Sequence, residues 1–372
     1  MIPLMKPVID GEMIGAAKYA LENEHLVNGE SVNKFEEEFA EYIGKRYAIA
    51  VNSGTSALTL GLLSLNLRKD DLVIAPSATF IATANAIVHA GATPLLLDID
   101  MNDYTISVKT IKEAIQIYGK KIKALIPVHL YGHPAKMNDL MNICNDSGIT
   151  LLEDSCQAHG GEYSGKKLGS FGYLSAFSFY SAKNITVGGD GGMLLTDDEE
   201  IADYVRSMRN QGALRGNRYI NNIIGYNFRL NNVNCAIGRV QLKKLNSWIM
   251  HRRKIAERYA ALLKDENQVI LPPVDDQIAK SAWHIFAVRI KDRDKAAKFL
   301  LEHGVETGIH YPIPIHLQKA YQNGNAVVPF QMTSTEVWSN EILSLPMYSD
   351  MNLENIDLVV SYLTKYARGE SE

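Results

Sequence analysis

Two side chains stand out for the chemistry they could do together. Asp154 ends the apolar run ITLLED, and Lys183 follows the run LSAFSFY and precedes the glycine-rich turn GGDGG (188–192). A carboxylate can keep a pyridine nitrogen protonated, and a lysine amine can condense with an aldehyde to form an imine. The pair is therefore the minimum equipment for pyridoxal-phosphate (PLP) chemistry. Lys183 needs a partly desolvated setting to shed its proton, and Phe177, Phe179, Tyr180 and Ala182 are mostly apolar neighbours. Each residue alone has an ordinary explanation: a helix cap for Asp154, a solvated surface charge for Lys183. The pairing, with the glycines after it, favours the chemical reading.

Other segments offer groups that a phosphorylated ring and a polar substrate would need. In NSGTSAL (52–58) the backbone N–H groups of Thr55 and Ser56 lie at a strand-to-helix turn, a natural phosphate cradle, although a plain N-capped helix predicts the same residues. The turn lacks the G-K-[ST] ending of a nucleotide-binding P-loop. Phe80, in the corner PSATF, can stack flat on a ring or fill the core. Ser178 offers a hydroxyl near the proposed imine, or is an ordinary strand serine. Asn227 and Arg229, within GYNFRLNN (225–232), can cap the following helix or reach an anionic ligand of a neighbouring subunit. His310, Tyr311 and His316, in TGIHYPIPIHLQKAY (307–321), suit hydrogen bonding to a polar substrate. Two histidines six apart do not have the spacing of a helical metal site, and Cys144, Cys156 and Cys235 form no C-x-x-C pair, so no metal is expected.

The elements that must position these residues alternate along the chain. Candidate strands are 47–52, 71–76, 93–99, 123–130, 149–154, 174–179 and 191–197, each nearly continuously apolar as when both faces of a sheet are covered. Helical patterns at 55–65, 79–91 and 136–148 lie between them, which implies a mostly parallel seven-stranded sheet with helices on both faces. A long helical stretch over 231–264 reads as a link to a smaller C-terminal α/β unit. That unit has strands HIFAVRI and ETGIHY, helix DKAAKFLLEHG and a last helix LENIDLVVSYLTKYARG. The expected division is a large domain over residues 1–240, including the N-terminal segment, and a small domain over 241–372 begun by the long helix.

Composition narrows the class. With 372 residues, two domains are expected; 46% hydrophobic and 22% charged residues are ordinary for a soluble globular protein. A net charge of −4 gives no reason to expect nucleic acid or an anionic membrane as partner. No apolar stretch is long enough to cross a bilayer, the N-terminal residues do not read as a signal peptide, and sparse cysteines fit a reducing, cytoplasmic setting. A nicotinamide oxidoreductase is excluded because no G-x-G-x-x-G follows the first strand.

Taken in order, PLMKP, EDSCQAHG, SFYSAKNIT and SLPMYSDMN resemble the DegT/DnrJ/EryC1/StrS nucleotide-sugar aminotransferases, a branch of fold-type I PLP enzymes, over essentially the whole chain. The resemblance implies Lys183 as the internal aldimine, Asp154 as partner of the ring nitrogen, Gln157 beside the ring hydroxyl and Phe80 stacked on the ring. It implies Thr55, Ser56 and Ser178 at the phosphate, with Asn227 supplied by the second subunit of a homodimer whose active sites are shared across the interface. It also implies glutamate as amino donor and a nucleotide-linked keto-deoxysugar as acceptor in a ping-pong reaction. Where relatives commonly carry a Trp near the sugar, this chain has His25-Leu26-Val27-Asn28-Gly29, which makes Asn28 a substrate-side candidate. The GYNFRLNN segment looks closer to the pattern of perosamine-type 4-aminotransferases than to that of 3-aminotransferases. Rival readings are a PLP-dependent sugar dehydratase or aminohydroxybenzoate-type synthase, and a non-catalytic regulatory or sugar-binding relative. Dehydratase relatives carry histidine in place of the lysine, so Lys183 favours amino transfer.

Overall fold

The computed structural model describes residues 1–214 and 216–370. All seven expected strands are present: β1 (Tyr47–Val51), β2 (Leu72–Pro76), β3 (Thr93–Leu97), β4 (Ile122–Leu125), β5 (Thr150–Asp154), β6 (Leu174–Ser178) and β7 (Gly192–Thr196). They form one sheet in the order β1-β7-β6-β5-β4-β2-β3, in which β7 alone runs against the others. The fourth strand is shorter than the expected 123–130. Pro127 has no N–H to give a ladder, and beyond it only Val128 bridges, to Asp154.

Side chains alternate between the two faces. Ile49 and Val51 of β1 join Leu152, Leu174 and Leu194 in one core, covered by α3 (Gly54–Leu63), α4 (Ala82–His89) and α7 (Glu199–Arg209). Ala48 and Ala50 join Phe177, Met193 and Leu195 in another, covered by α2 (Glu30–Ile43) and α8 (Asn232–Leu263). Two further helices, α5 (Val108–Tyr118) and α6 (Met137–Ser147), pack at the β3 and β4 side. Among the described residues no helix is long and apolar enough to cross a membrane.

Helix α8 belongs to two cores. Its Leu242, Leu245 and Ile249 pack under the sheet, whereas Ile255, Ala256, Tyr259 and Leu263 pack into the C-terminal unit. That unit holds β8 (Val269–Ile270), β9 (Phe286–Ile290) and β10 (Ile342–Leu345), all antiparallel, with α9 (Arg293–Glu302), α10 (Thr333–Glu341) and α11 (Leu353–Ala367). The expected strand ETGIHY is not one. Only Gly308 pairs, with Ser344 of β10, because Tyr131 and Ser344 take the polar groups of His310 and Pro312 cannot extend a ladder. At the chain's start, Ile2 bridges Val305 and the Leu4 carbonyl accepts from Met347, so these residues sit on the C-terminal unit. Asp98, just past β3, accepts from the Ser334 and Thr335 N–H groups at 3.0 and 2.8 Å and ties α10 to the sheet.

Glu153 fixes the strand end that carries Asp154. Its fully buried carboxylate accepts the N–H groups of Gly169, Phe171 and Gly172 at 2.6–2.8 Å and His129 Nε2–H at 3.0 Å. His129 Nδ1 accepts from Ala135 N–H, which fixes this tautomer. Glu153→Ala orphans three backbone donors and should lower the unfolding free energy by about 3–5 kcal/mol in urea titrations. A loss below about 1 kcal/mol would show that the clamp contributes nothing.

Candidate active site

The carboxyl ends of β1, β2, β5 and β6 open onto one edge of the sheet, where open α/β sheets hold their ligands. Register places Val51, Gly192 and Ser178 in one row across β1, β7 and β6, and pairs Asp154 with Ala176. A β-carbon on Gly192 would lie 2.4 Å from the Ser53 carbonyl, so the residue there must be glycine for the turn into α3 to close on the sheet. One on Gly54 would meet Ser178 Cβ at 2.7 Å, which puts the Ser178 side chain against the first turn of α3.

That turn corrects part of the expected cradle. Ser53 Oγ caps the helix by accepting Ser56 N–H at 3.1 Å, and Ser56 Oγ donates to Asn52 at 2.6 Å. The Ser56 N–H is therefore spent inside the turn. The groups left to meet an anion are the Gly54 and Thr55 N–H groups, which precede the first helical bond, and the Thr55 and Ser178 hydroxyls.

Asp154 is 5% exposed; one oxygen accepts from Thr83 Oγ1 at 2.8 Å and the other from Cys156 N–H at 3.2 Å. Lys183 is half-buried, and its backbone N–H donates to the Tyr180 carbonyl at 2.8 Å. Burial pushes the Lys183 ammonium below its ordinary pKa, with the charge of Asp154 opposing. The lysine thus loses its proton more readily than in water, as imine chemistry requires.

Phe80 is not a core aromatic. It is 50% exposed, and its ring packs on Tyr311 at 5.5 Å between centroids. Gln157 accepts from Tyr131 N–H at 2.7 Å and donates through Nε2 to the Tyr311 hydroxyl at 3.2 Å. His310 bonds Ser344 Oγ through Nδ1 at 2.9 Å; burial, then the Lys183 charge, depresses it to about 4. Lys183, Asp154, Gln157, Phe80, His310 and Tyr311 are thereby gathered into one place.

Four expected site residues lie elsewhere. His316 has both ring nitrogens engaged, with Ser77 Oγ at 2.7 Å and Glu336 at 3.3 Å, so it ties the sheet edge to α10 instead of facing a substrate. Asn28 and Arg229 line a separate groove of about 1270 Å³ with Glu36, Arg209 and Asn210, and Arg229 donates to Asn210 at 2.9 Å. Asn227 bridges Asn210 beside that groove.

A family model for the DegT/DnrJ/EryC1/StrS aminotransferases matches residues 7–364. The chain belongs to that family. It is 37% identical over 358 residues to the dTDP-3-amino-3,6-dideoxy-α-D-galactopyranose transaminase of Aneurinibacillus thermoaerophilus, covering 95% of each chain. Among solved structures it is similar to S. venezuelae DesV in complex with a ketimine intermediate, with a TM-score of 0.91, 34% identity and coverage of 96% and 94% of the two chains. Bacillus subtilis NtdA, solved with bound cofactor PMP, gives a TM-score of 0.87 and 31% identity over 96% of this chain and 81% of its own. The fold of this aminotransferase family and the observed seven-stranded sheet agree.

The site contains residues that the motifs did not single out. Thr83, one helical turn beyond Phe80 in TFIAT, donates to Asp154; the i, i+3 spacing is a signal that could have found it. Tyr131 and His284 come from distant segments joined only by the fold, through a 2.9 Å bond from His284 N–H to the Tyr131 carbonyl. His159 lies between Phe177 and Phe179, at 5.2 and 5.7 Å, and burial, then the Lys183 charge, lowers it to about 3.

His159 makes stability depend on acid. The unfolded chain binds a proton at this imidazole below about pH 6.5, whereas the folded chain refuses it until about 3, so stability present at neutral pH is lost as pH falls through that window. Between pH 7 and 5 the cofactor-free protein should lose about 2 kcal/mol more stability than His159→Gln in denaturant titrations. Equal losses in the two proteins would contradict the buried neutral state.

Proposed function

We propose that this chain is a PLP-dependent aminotransferase that moves an amino group from glutamate to a nucleotide-linked keto-deoxysugar. The observation that carries the proposal is a desolvated Lys183 beside Asp154 at the carboxyl edge of the sheet. When bound, the cofactor supplies an electron-accepting ring that carries the amino group from one substrate to the next.

The chain's own groups supply the rest. Asp154, held by Thr83, would keep a proton on the ring nitrogen, Phe80 would stack on the ring and Gln157 would hydrogen-bond the ring's oxygen. The Gly54 and Thr55 N–H groups and the Thr55 and Ser178 hydroxyls would hold the phosphate. With the cofactor bound, the Lys183 amine would be the base placed to take a proton from the substrate carbon that bears the nitrogen and to give it back in the reverse half-reaction. His310 faces the polar substrate. The groove lined by Asn28 and Arg229, with Asn227 beside it, is where a second copy completes the site and supplies Asn227 to the phosphate.

Carbon 3 of the sugar is the favoured acceptor position, because the Aneurinibacillus relative is named for a 3-amino sugar. The GYNFRLNN segment supports a second reading, transfer to carbon 4. A panel of nucleotide-linked 3-keto and 4-keto sugars with glutamate, its products identified by mass and NMR, decides between them. No amino sugar from either would refute the proposal. Lys183→Ala should abolish turnover with an unchanged circular-dichroism spectrum. Asp154→Asn should lower kcat by orders of magnitude, and near-normal kcat would remove Asp154 from its role.

A further inference from the structure

We propose that the Tyr311 hydroxyl belongs to the cofactor side of the site, where with Gln157 it hydrogen-bonds the ring oxygen of bound PLP and weakens the hold of the Lys183-linked nitrogen on its proton. The inference deepens the reading above and rests on it. It moves Tyr311 away from the sugar, where its sequence context had placed it.

The direction of the donors carries the argument. Gln157 Oε1 accepts the Tyr131 N–H at 2.7 Å, so the amide can only turn its NH2 toward Tyr311. Tyr131 holds that N–H in place with a left-handed backbone, φ 60°, in a residue only 4% exposed. The Tyr311 oxygen accepts from Gln157 Nε2 at 3.2 Å, which leaves its own O–H to donate, and among the described residues no protein acceptor takes it. The ring lies against Phe80, and the phenol is near enough to Asp154 to feel its charge, so the hydroxyl lies at the border of the space between these residues. Burial, then the charge of Asp154, pushes the phenol above its ordinary pKa, so it remains a donor throughout the working range. Gln157 has a second N–H left as well. Two convergent donors beside a ring-stacking aromatic and a carboxylate suit an aromatic ring that carries an anionic oxygen next to a protonated nitrogen.

The sign of the effect follows. Donors to an oxygen favour its anionic form, so they make it easier for the neighbouring nitrogen on Lys183 to give up the proton the two would share. Removing one donor raises the pH at which that proton leaves.

The experiment is a spectroscopic pH titration of the visible cofactor band in holoenzyme, for the wild type, Tyr311→Phe, Gln157→Ala and the double variant. Tyr311→Phe should raise the midpoint by about one pH unit, a tenfold change in proton affinity, and change KM for the keto-sugar by less than about twofold. Gln157→Ala should shift it the same way, and the double variant by less than the sum, because Gln157 aims the phenol. A Tyr311→Phe midpoint equal to wild type, with a raised keto-sugar KM, would return Tyr311 to the substrate side. If Tyr311→Phe does not fold, an unshifted midpoint in Gln157→Ala overturns the proposal. A wild-type protein with no visible band would instead overturn the PLP reading itself, a separate failure.

Discussion

One electrostatic imbalance governs this molecule: a cation and an anion share the edge of the sheet, and only the anion is fully partnered. Asp154 is buried, and each of its carboxylate oxygens has a hydrogen-bond donor, Thr83 Oγ1 or the Cys156 N–H. Lys183 has no ion pair among the described residues, and burial pushes its ammonium below the ordinary pKa while the nearby Asp154 charge opposes the shift. A lysine that gives up its proton more readily than in water, beside a buried and hydrogen-bonded aspartate, is the condition on which the proposed chemistry stands.

The remaining architecture maintains that condition. Parallel strands deliver the ends of β1, β5 and β6 to one edge, and Glu153 and His129, behind Asp154, lock the loop that borders it. Gly192 lets the first turn of α3 close against the sheet, which brings the helix N-terminus, favourable to anions, beside Ser178. The C-terminal unit then contributes His310 and Tyr311. Its position is set by bonds to the large unit from Asp98, Tyr131 and His316, and by an α8 helix shared between both cores.

Much of the sheet was legible in the sequence because strands covered on both faces are nearly continuously apolar, and their short, β-branched runs bounded by turn residues separate them from buried helices. All seven strands were placed to within a few residues except the fourth, where Pro127 ends the pairing early. The segment ETGIHY misled because alternating bulky residues read as a strand, whereas only Gly308 pairs and the polar groups of His310 bond Tyr131 and Ser344. In the site, Asp154 and Lys183 were readable because each ends or follows an apolar run. Phe80 was legible as a ring-stacking candidate from its strand-to-helix corner, with a core aromatic as the alternative, whereas Gln157 came only with the family resemblance. Tyr131 and His284 were hidden, since their placement depends on contacts across more than 100 residues that no local pattern encodes. His316 was overvalued because a histidine in a loop looks available, and whether Ser77 and Glu336 occupy it is decided by tertiary structure alone.

The proposed chemistry requires the cofactor to attach covalently at the Lys183 side chain. Borohydride reduction of PLP-loaded protein, followed by digestion and peptide mass analysis, tests it directly. The account predicts a single phosphopyridoxyl adduct on the peptide containing Lys183. An adduct on another lysine, or none, would contradict it.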